Sequence, residues 1–263
     1  MKIGLIGHGF VGTAVDINFT KRGHDMYIYD KFIKQYQNPN ILCDTEICFI
    51  CVPTPTDQTG YDLSALDDVF ALLDRINYKG IIVNKCTVLP GTTAIYSRKY
   101  TKLTITHNPE FLSARTAVED FDNQNHVIIG CDNSNVDVTE RLNRFFRSCF
   151  PEAKISNCSI IESESVKMFC NSFYAAKVQI FTEFKLMCDH FGSDYNKIKD
   201  IMLLNGWINP MHTMVPGTDG KLSFGGYCFP KDLSALVNFS QNNSLDNSVL
   251  KAVIEERNKM RDD

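Results

Sequence analysis

The stretch KIGLIGHGFVG, residues 2–12, decides the fold of this chain. A short apolar run leads into three glycines with the spacing GxGxxG, and a helix-like segment follows. In such a turn the first glycine permits the tight bend, the second brings the backbone close to a pyrophosphate, and the third lets the helix pack closely on the strand. The helix N-terminus offers its amides and the positive end of its dipole to the anion. The pattern predicts a dinucleotide-binding turn with cofactor contacts at Gly7, Gly9, Phe10, Val11 and Gly12.

An acidic residue ends the next predicted strand and indicates which dinucleotide binds. The strand has the sequence DMYIYD and closes at Asp30. A carboxylate at this place accepts hydrogen bonds from both ribose hydroxyls and repels a 2′-phosphate, so NAD is favoured over NADP as the cofactor. Lys31 follows directly and is the neighbour that could weaken this preference. We count both residues among the expected cofactor contacts.

Strand-like and helix-like segments alternate along the first half of the chain. This alternation predicts an α/β fold, a Rossmann-like doubly wound parallel sheet with helices on both faces. Ligands of such sheets lie beyond the carboxyl ends of the strands, where the loops 52–57, 86–93 and 107–112 fall. The later predicted strands are 46–53, 80–86, 102–109, 126–131 and 152–158, and the predicted helices are 63–76, one after Pro90, and 135–150.

Composition and charge exclude several classes of protein. The chain has 263 residues, 44% of them hydrophobic, and a net charge of -4. That charge gives no general attraction to nucleic acid or to an anionic membrane, and no apolar run is long enough to span a bilayer. The ten cysteines read as reduced thiols of a cytoplasmic protein, because a chain this long needs no disulfide framework. Cys48 and Cys51 lie in a predicted strand, point to opposite faces and so cannot jointly hold a metal.

One long helix dominates the second half. The segment from Ser159 to about Phe191 contains neither glycine nor proline, and apolar residues recur in it at helical spacing. A helix of that length measures roughly 45–50 Å, and such helices usually connect domains or form the core of a dimer. Lys167 and Asn171 lie four residues apart and share one face. On spacing alone, both read as solvated side chains.

The segment FGGYCFPKD, residues 224–232, frames one cysteine unlike the others. Pro230 suits the first position of a helix, which places Cys228 just before a helix N-terminus. The dipole and amides there stabilise a thiolate, and the preceding Gly-Gly pair leaves space for a substrate to reach the sulfur. Asp232 lies in the first predicted turn beside it, where a structural carboxylate is the alternative interpretation. We therefore predict that Cys228 is a nucleophile.

These motifs resemble those of the UDP-glucose/GDP-mannose 6-dehydrogenase family, most closely its UDP-glucose 6-dehydrogenases. The resemblance covers nearly the whole chain, and its most diagnostic part is the cysteine segment. Besides the glycine turn, it is carried by VPTP at 52–55, KCTVLPGTT at 85–93, NPEFL at 108–112, ESESVKMFCN at 162–171 and FGGYCFPKD at 224–232.

The resemblance implies a double oxidation of the C6 alcohol of a nucleotide sugar, UDP-glucose above all, with consumption of two NAD. Cys228 would capture the intermediate aldehyde as a thiohemiacetal, and a second hydride transfer would leave a thioester that water hydrolyses. Lys167 and Asn171 match family residues that stabilise the oxyanion. Asp232 matches a residue that handles protons with a water, and Thr87 matches one that holds this water.

Further family roles follow by the same correspondence. Glu110 matches the carboxylate implicated in thioester hydrolysis. The implied cofactor contacts are Thr54 and Thr87, and the implied substrate contacts are Glu110, Phe111, Leu112, Lys167, Asn171, Phe224, Gly225 and Gly226.

The chain departs from the family pattern at several places. Ala114 stands where the family usually has a second glutamate, and Ser223 replaces a glycine. The segment 212–223 is longer than the common form. It has no clear match to the arginine that reaches a neighbouring subunit's substrate, a role that His212 or Lys221 could take.

The expected domain organisation follows from the motifs and the resemblance. We expect an NAD-binding domain at 1–155 and a helical domain at 156–263, built on the long helix and mediating homodimerisation. Family members continue into a third, Rossmann-like domain that covers the nucleotide part of the substrate. Because the sequence ends at Asp263, we expect that UDP-binding domain to be absent.

Three alternatives to UDP-glucose oxidation stay open at this point. The same chemistry could act on another substrate, such as a UDP-N-acetylhexosamine, GDP-mannose or a smaller sugar phosphate. A single-hydride β-hydroxyacid dehydrogenase is disfavoured, because it would have no use for Cys228. A non-catalytic, NAD-binding partner of a full-length enzyme is disfavoured by the intact Cys228, Lys167, Asn171 and Asp232.

Overall fold

A computed structural model describes residues 1–57, 60–132 and 134–263 of the chain. The chain divides into two compact units. The first unit comprises Met1–Asp57 and Tyr61–Lys167, and the second comprises Gly60 and Met168–Asp263. The boundary between two domains after residue 155, which the motifs predict, stays a prediction.

Seven strands of the first unit form one sheet, in the order β2-β1-β3-β6-β7-β8-β9. Neighbouring strands run parallel except β7 and β8, which pair antiparallel through His107 and Gly130. The prediction of a Rossmann-like, doubly wound sheet is confirmed, with this one reversed pairing. The strands are β1 Lys2–Ile6, β2 Asp25–Tyr29, β3 Ile47–Ile50, β4 Thr56–Asp57, β5 Gly60–Tyr61, β6 Ile81–Asn84, β7 Thr104–His107, β8 His126–Gly130 and β9 Lys154–Cys158, with β4 and β5 forming a separate two-stranded sheet.

Side-chain alternation along the central strands separates two apolar cores. Phe49 belongs to the core that also holds Phe19 and Phe145. Its neighbour Cys48 belongs to the core around Phe70 and Ile82, because successive side chains of a strand point to opposite faces. The helices of this unit are α1 Phe10–Lys21, α2 Ser64–Arg75, α3 Thr92–Lys99, α4 Ala117–Asp122 and α5 Val136–Cys149, and 3-10 turns cover Lys34–Tyr36 and Pro39–Asp44.

The long helix α6, Ile160–Phe191, matches the predicted span to within one residue. Its 32 residues correspond to about 48 Å. The second unit continues with α7 Tyr195–Leu203, α8 Cys228–Asn242 and α9 Ser248–Met260. Within residues 1–57, 60–132 and 134–263, no helix combines the length and apolar character needed to cross a membrane.

Helix α8 begins two residues earlier than the sequence predicts. Cys228 is its first residue, Tyr227 its cap, and Pro230 its third residue. The prediction that Pro230 opens the helix is therefore wrong. The amide groups of a first helical turn have no intrahelical acceptor, so a proline anywhere in that turn costs no helix hydrogen bond.

Candidate functional site

The glycine turn of the first unit combines a closely packed bend with an open face. Gly7 has a left-handed φ of +88°, and a Cβ on Gly12 would lie 2.0 Å from the Gly7 carbonyl oxygen. A Cβ on Gly9 would meet nothing within 4 Å. Helix α1 begins at Phe10, with no side-chain hydrogen bond at its cap residue Gly9. These residues therefore fit a dinucleotide, whose pyrophosphate approaches the backbone at the second glycine.

Asp30 is held at the carboxyl end of β2 by backbone amides. The N–H of His8 donates to its Oδ2 at 2.8 Å, and the amides of residues 32 and 33 donate to its Oδ1. A carboxylate has about four acceptor positions, so one stays available for a ribose hydroxyl. The ammonium of Lys31, also predicted to contact the cofactor, lies 2.8 Å from the carboxylate of Asp68.

Two predicted cofactor residues meet where β3 and β6 end. The Thr54 hydroxyl donates to the Thr87 backbone carbonyl at 2.7 Å, and Thr54 is buried. The bond joins two of the three loops that the sequence places beyond the strand ends. A loop contact of this kind fixes the rim of a ligand site in a doubly wound sheet.

Glu110 and Lys167 form a buried ion pair in the first unit. The Lys167 Nζ lies 3.1 Å from Glu110 Oε1 and also donates to the Glu110 backbone carbonyl. The other carboxylate oxygen of Glu110 accepts the N–H of Leu112 at 2.7 Å. The Lys167 ammonium lies 5.0 Å from the centre of the Phe111 ring. Four of the eight residues that the resemblance places at the substrate are thus in contact with one another. The solvated interpretation of Lys167 is wrong.

Lys85 is a second buried lysine of this region that sequence reasoning missed. Burial lowers its pKa to about 8, although the nearby Cys51 and Glu110 act in the opposite direction. Its Nζ donates to Asn108 Oδ1 at 2.7 Å and so fixes the loop that carries Glu110. A lysine directly after a wholly buried strand is the signal that could have revealed it.

Glu164 is the other missed residue of the first unit. Its carboxylate accepts the N–H groups of Gly91 and Thr93 at 2.6 and 2.7 Å, where α3 begins. Burial raises its pKa, and these hydrogen bonds counteract the rise. Glu164 therefore ties the start of α3 to α6.

Asp232 lies at the centre of a buried polar group in the second unit. Its Oδ2 accepts from the Asn171 side-chain amide at 2.6 Å, and its Oδ1 pairs with the ammonium of Lys231. Asp232 is the fifth residue of α8, so the prediction that it lies in the first turn is wrong. Asn171 is likewise buried, against its solvated interpretation. Sequence reasoning missed Lys231, whose ammonium lies 5.7 Å from the centre of the Tyr227 ring.

The glycines before Cys228 have different structural roles. Gly226 has a left-handed φ of +78°, and no atom lies within 4 Å of a Cβ placed on it. A Cβ on Gly225 would lie 2.2 Å from Nη2 of Arg261. The expectation that both glycines leave space for a substrate is therefore wrong for Gly225, whose space holds a guanidinium. Phe224, before them, is buried in the core of the second unit with Leu233.

Ser223, the departure from the family glycine, occupies a backbone conformation that favours glycine. Its φ is +58°, in the left-handed region. Its N–H donates to Thr182 Oγ1 at 3.1 Å, and its hydroxyl donates to Gln179 Oε1 at 2.6 Å. These two bonds compensate for the strained conformation.

The two candidates for the missing arginine lie in different surroundings. The His212 ring stacks on Tyr174 with the ring centres 4.7 Å apart and lies edge-on to Phe229, the residue after Cys228. Lys221 instead lies 3.1 Å from the carboxylate of Asp263, and both side chains are about half exposed. Ala114, the third departure, lies exposed in a turn.

The first unit has the architecture of a dinucleotide-binding protein, and comparison with known proteins narrows the class. Residues 31–149 match the NAD binding domain of the UDP-glucose/GDP-mannose dehydrogenase family, and residues 161–259 match its central domain. The chain therefore belongs to this family of NAD-dependent nucleotide-sugar dehydrogenases. The predicted family and the NAD cofactor are thereby confirmed.

Individual relatives cover nearly all of this chain. The UDP-glucose 6-dehydrogenase of Rickettsia conorii is 33% identical over 99% of this chain and 67% of its own length. The structure of a UDP-glucose dehydrogenase from Pyrobaculum islandicum has a TM-score of 0.85 at 23% identity, over 98% of this chain and 68% of that one. A UDP-D-ManNAc dehydrogenase from Pyrococcus horikoshii gives 0.81 at 20% identity, over 99% and 69%. The chain thus spans about two thirds of the length of these relatives.

Proposed function

We propose that this chain oxidises the C6 hydroxyl of a nucleotide sugar, UDP-glucose foremost, to the carboxylate. The observation that carries the proposal is the arrangement on α8. Cys228 is the first residue of this helix, and Asp232 lies one turn further on the same face. Asp232 is buried and bonded to Asn171 and Lys231. A thiol at a helix start beside such a polar group suits covalent capture of a carbonyl carbon.

The chain's own residues supply the covalent part of the reaction. The Cys228 sulfur adds to the carbonyl carbon of the C6 aldehyde. The aldehyde oxygen takes a proton, which gives a thiohemiacetal. The glycine turn would hold NAD, which would supply the hydride acceptor, one NAD for each of the two oxidations. Loss of a hydride and a proton turns the thiohemiacetal into a thioester. Water attacks the thioester carbon, the C–S bond breaks, and the carboxylate and the Cys228 thiol are released.

The polar groups of each unit have their own roles in this proposal. Asn171 donates to the oxyanion that forms at C6, and Asp232 accepts the proton of the hydroxyl. Lys167 of the first unit takes the oxyanion-stabilising role that its match to the family implies. Glu110 accepts a proton from the attacking water, with its carboxylate fixed by Lys167 and the amide of Leu112. Thr87 takes the water-holding role that its match to the family implies, and Thr54 fixes the loop of Thr87.

A second candidate substrate is a UDP-N-acetylhexosamine. The solved UDP-D-ManNAc dehydrogenase shares the fold of this chain almost as closely as the UDP-glucose dehydrogenase does. The chemistry at C6 is the same for both sugars, so the residues proposed above serve either. Single-hydride oxidation of a hydroxyacid is disfavoured, because it leaves Cys228 and its polar neighbours without a role.

A homodimer is the proposed assembly, and the exposed apolar side chains of α6 support it. Phe173 is 64% exposed and Phe191 74% exposed, and Phe169, Ile180 and Met187 are exposed as well. Apolar patches of this kind on a helix mark a surface that another protein covers. Light scattering at micromolar concentration should give at least a dimer. A fully active monomer would contradict the proposal.

The test of the function is the stoichiometry of NADH formation. The purified chain is assayed with UDP-glucose, a UDP-N-acetylhexosamine, GDP-mannose and glucose 6-phosphate, and the sugar product is identified by mass spectrometry. We expect UDP-glucose to react best, with two NADH and one uronic acid formed per sugar. One NADH with an aldehyde product would overturn the thioester mechanism. Binding of NAD without NADH formation from any sugar would favour the non-catalytic alternative.

A further inference from the structure

Arg257 of α9 and Arg261, the residue directly after this helix, bind the backbone that leads to Cys228. Arg261 Nη1 donates to the carbonyl oxygens of Leu222 and Ser223 at 3.3 and 3.4 Å. Arg257 Nε donates to the next carbonyl, that of Phe224, at 3.2 Å. Three consecutive carbonyls of an irregular segment thus accept hydrogen bonds from two guanidinium groups. Buried carbonyls outside helices and strands need such partners.

Both guanidinium groups are buried, which requires a reason. The side chains of Arg257 and Arg261 are 10% and 2% exposed. Removing an arginine from water is unfavourable unless its charge and its donors are matched. Arg261 is matched by Asp219 at 2.6 Å and by Asp263 at 2.8 Å. Apolar residues could close the same end of the core, so the guanidinium groups indicate a need for directed hydrogen bonds.

The segment itself is adapted to these arginines. Gly225 lacks a Cβ where the Arg261 guanidinium lies, at 2.2 Å from the position that a Cβ would take. The Phe224 ring centre lies 5.9 Å from the Arg257 guanidinium carbon, so this residue is held by its ring and its carbonyl. Ser223 is held from the other side by Thr182 and Gln179. Cys228, the first residue of α8, follows Phe224 by four residues.

We propose that Arg261 and Arg257 are positioning residues for the Cys228 nucleophile. They hold the carbonyls of residues 222–224 in place. Gly225 and Gly226 connect this fixed backbone to the start of α8, so its position is fixed as well. With the segment fixed, the first turn of α8 keeps its amides aligned beside the sulfur, which favours the thiolate. The role assigned to Cys228 rests on the proposed function, whereas the effect on its thiol is measurable without any sugar.

The experiment compares the reactivity of Cys228 in four variants of the full chain. Arg261→Met removes the donors and the charge, and Arg261→Lys keeps the charge but loses the fork of donors. Gly225→Ala disturbs the same contact from the opposite side. Lys259→Met, two residues before Arg261, removes only an exposed ion pair with Glu256 and is the matched control. Iodoacetamide labelling is followed by peptide mass spectrometry from pH 6 to pH 9, with exposed Cys43 as the internal reference.

We expect the rate of Cys228 relative to Cys43 at pH 7 to fall about three- to fivefold in Arg261→Met and Gly225→Ala. Its pH midpoint should rise in both, Arg261→Lys should recover part of the loss, and the control should match the wild type. In a catalytically active chain, kcat should fall about ten- to a hundredfold with the KM for NAD unchanged.

An unchanged Cys228 rate and pH midpoint in folded Arg261→Met and Gly225→Ala would overturn the proposal. If Arg261→Met does not fold, the labelling rates of Cys228 relative to Cys43 in Gly225→Ala and Arg261→Lys test the proposal instead. Failure of the wild type to oxidise any nucleotide sugar would reject the proposed function alone, because the thiol measurement needs no substrate.

Discussion

Two turns of this chain are built around glycine, residues 7–12 in the first unit and 223–228 in the second. In the first, a Cβ on Gly9 would meet no protein atom within 4 Å, so the space beside the glycine is open. In the second, the space beside Gly225 is filled by the Arg261 guanidinium. Both are glycine motifs at the start of a helix. Gly9 and Gly226 have open space beside them, whereas Gly225 has none.

The difference shows that a glycine in a motif has two distinct explanations. Gly9 keeps the backbone accessible to a ligand, whereas Gly225 accommodates a buried side chain that belongs to the protein. The first explanation predicts that substitution damages binding and spares folding. The second predicts that substitution changes the packing of the segment before Cys228 even without a ligand. The following substitutions separate these consequences, in order of decreasing effect.

The largest effect should come from Cys228→Ala. Without the sulfur, overall acid formation should fall by about a thousandfold or more, because the covalent intermediate is lost. The affinity for NAD, measured by fluorescence titration, should stay unchanged, because the glycine turn belongs to the other unit. Cys43→Ser is the control for thiol removal at an exposed site. Normal acid production by Cys228→Ala would show that the second turn presents no nucleophile.

Acid should destabilise the first unit through one buried histidine. The pKa of His107 is lowered to about 3, chiefly by burial and further by Lys85 and Lys167. Between pH 6.5 and pH 3 the unfolded chain therefore binds more protons than the folded one, and stability falls as the pH falls. The loss from this group between pH 7 and pH 4 should be about 3 kcal/mol. The arginines beside the second turn stay charged throughout this range.

Urea unfolding at pH 7 and pH 4 checks this contribution of His107. His107→Gln should reduce the difference between the two free energies of unfolding. His126→Gln, at an exposed histidine, should leave the difference as in the wild type. An equal pH dependence in all three proteins would exclude His107 as the acid-sensitive group.

The third prediction contrasts two glycines of the first turn. Gly12→Ala should lower the free energy of unfolding by about 2 kcal/mol, because its Cβ would lie 2.0 Å from a carbonyl oxygen. Gly9→Ala should change it by less than about 0.5 kcal/mol. NAD affinity should nevertheless weaken at least about tenfold in Gly9→Ala, because the added methyl group would occupy the space that we expect the pyrophosphate to take. Urea unfolding measures the stability, and titration with NAD measures the affinity. Unimpaired NAD binding by Gly9→Ala would contradict the view that the space beside Gly9 serves a ligand.

The smallest effect concerns the choice of dinucleotide. Wild-type protein should prefer NAD strongly over NADP, since Asp30 faces the 2′-phosphate. Asp30→Ala should narrow the ratio of kcat/KM values by about tenfold. The pairing of Lys31 with Asp68 opposes a role for that lysine in binding the phosphate. Comparable efficiency of the wild type with both cofactors would refute the preference.

Much of the first unit could be predicted from sequence, because its signals are local. The apolar runs at β3 and β6 are wholly buried strands, and the helix at 64–75 lies within one residue of its predicted bounds at each end. Helix α4 was missed, because six residues give too few turns for a periodic signal. The reversed pairing of β7 with β8 was missed as well, because strand direction leaves no mark on the composition of a short apolar segment.

The side chains of the candidate site were nameable from their motifs, but their partners were not. Nothing local indicates that Glu110 pairs with Lys167, 57 positions later, or that Asn171 bonds to Asp232. Arg261, which fills the space at Gly225, directly follows an ordinary amphipathic helix. Ser223 departs from the glycine of the family pattern. Only its left-handed φ shows that this position requires a backbone conformation that favours glycine.

The burial of the cysteines also bears on how this chain tolerates oxidants. Peroxides react with thiolates, so a cysteine that stays protonated is protected from sulfenic acid formation. Burial raises the pKa of Cys51 to about 12 and also raises that of Cys48. The pKa values of Cys131, Cys149 and Cys158 are raised for the same reason. If Cys228 is the nucleophile proposed above, its thiol should therefore be oxidised before the thiols of the apolar core.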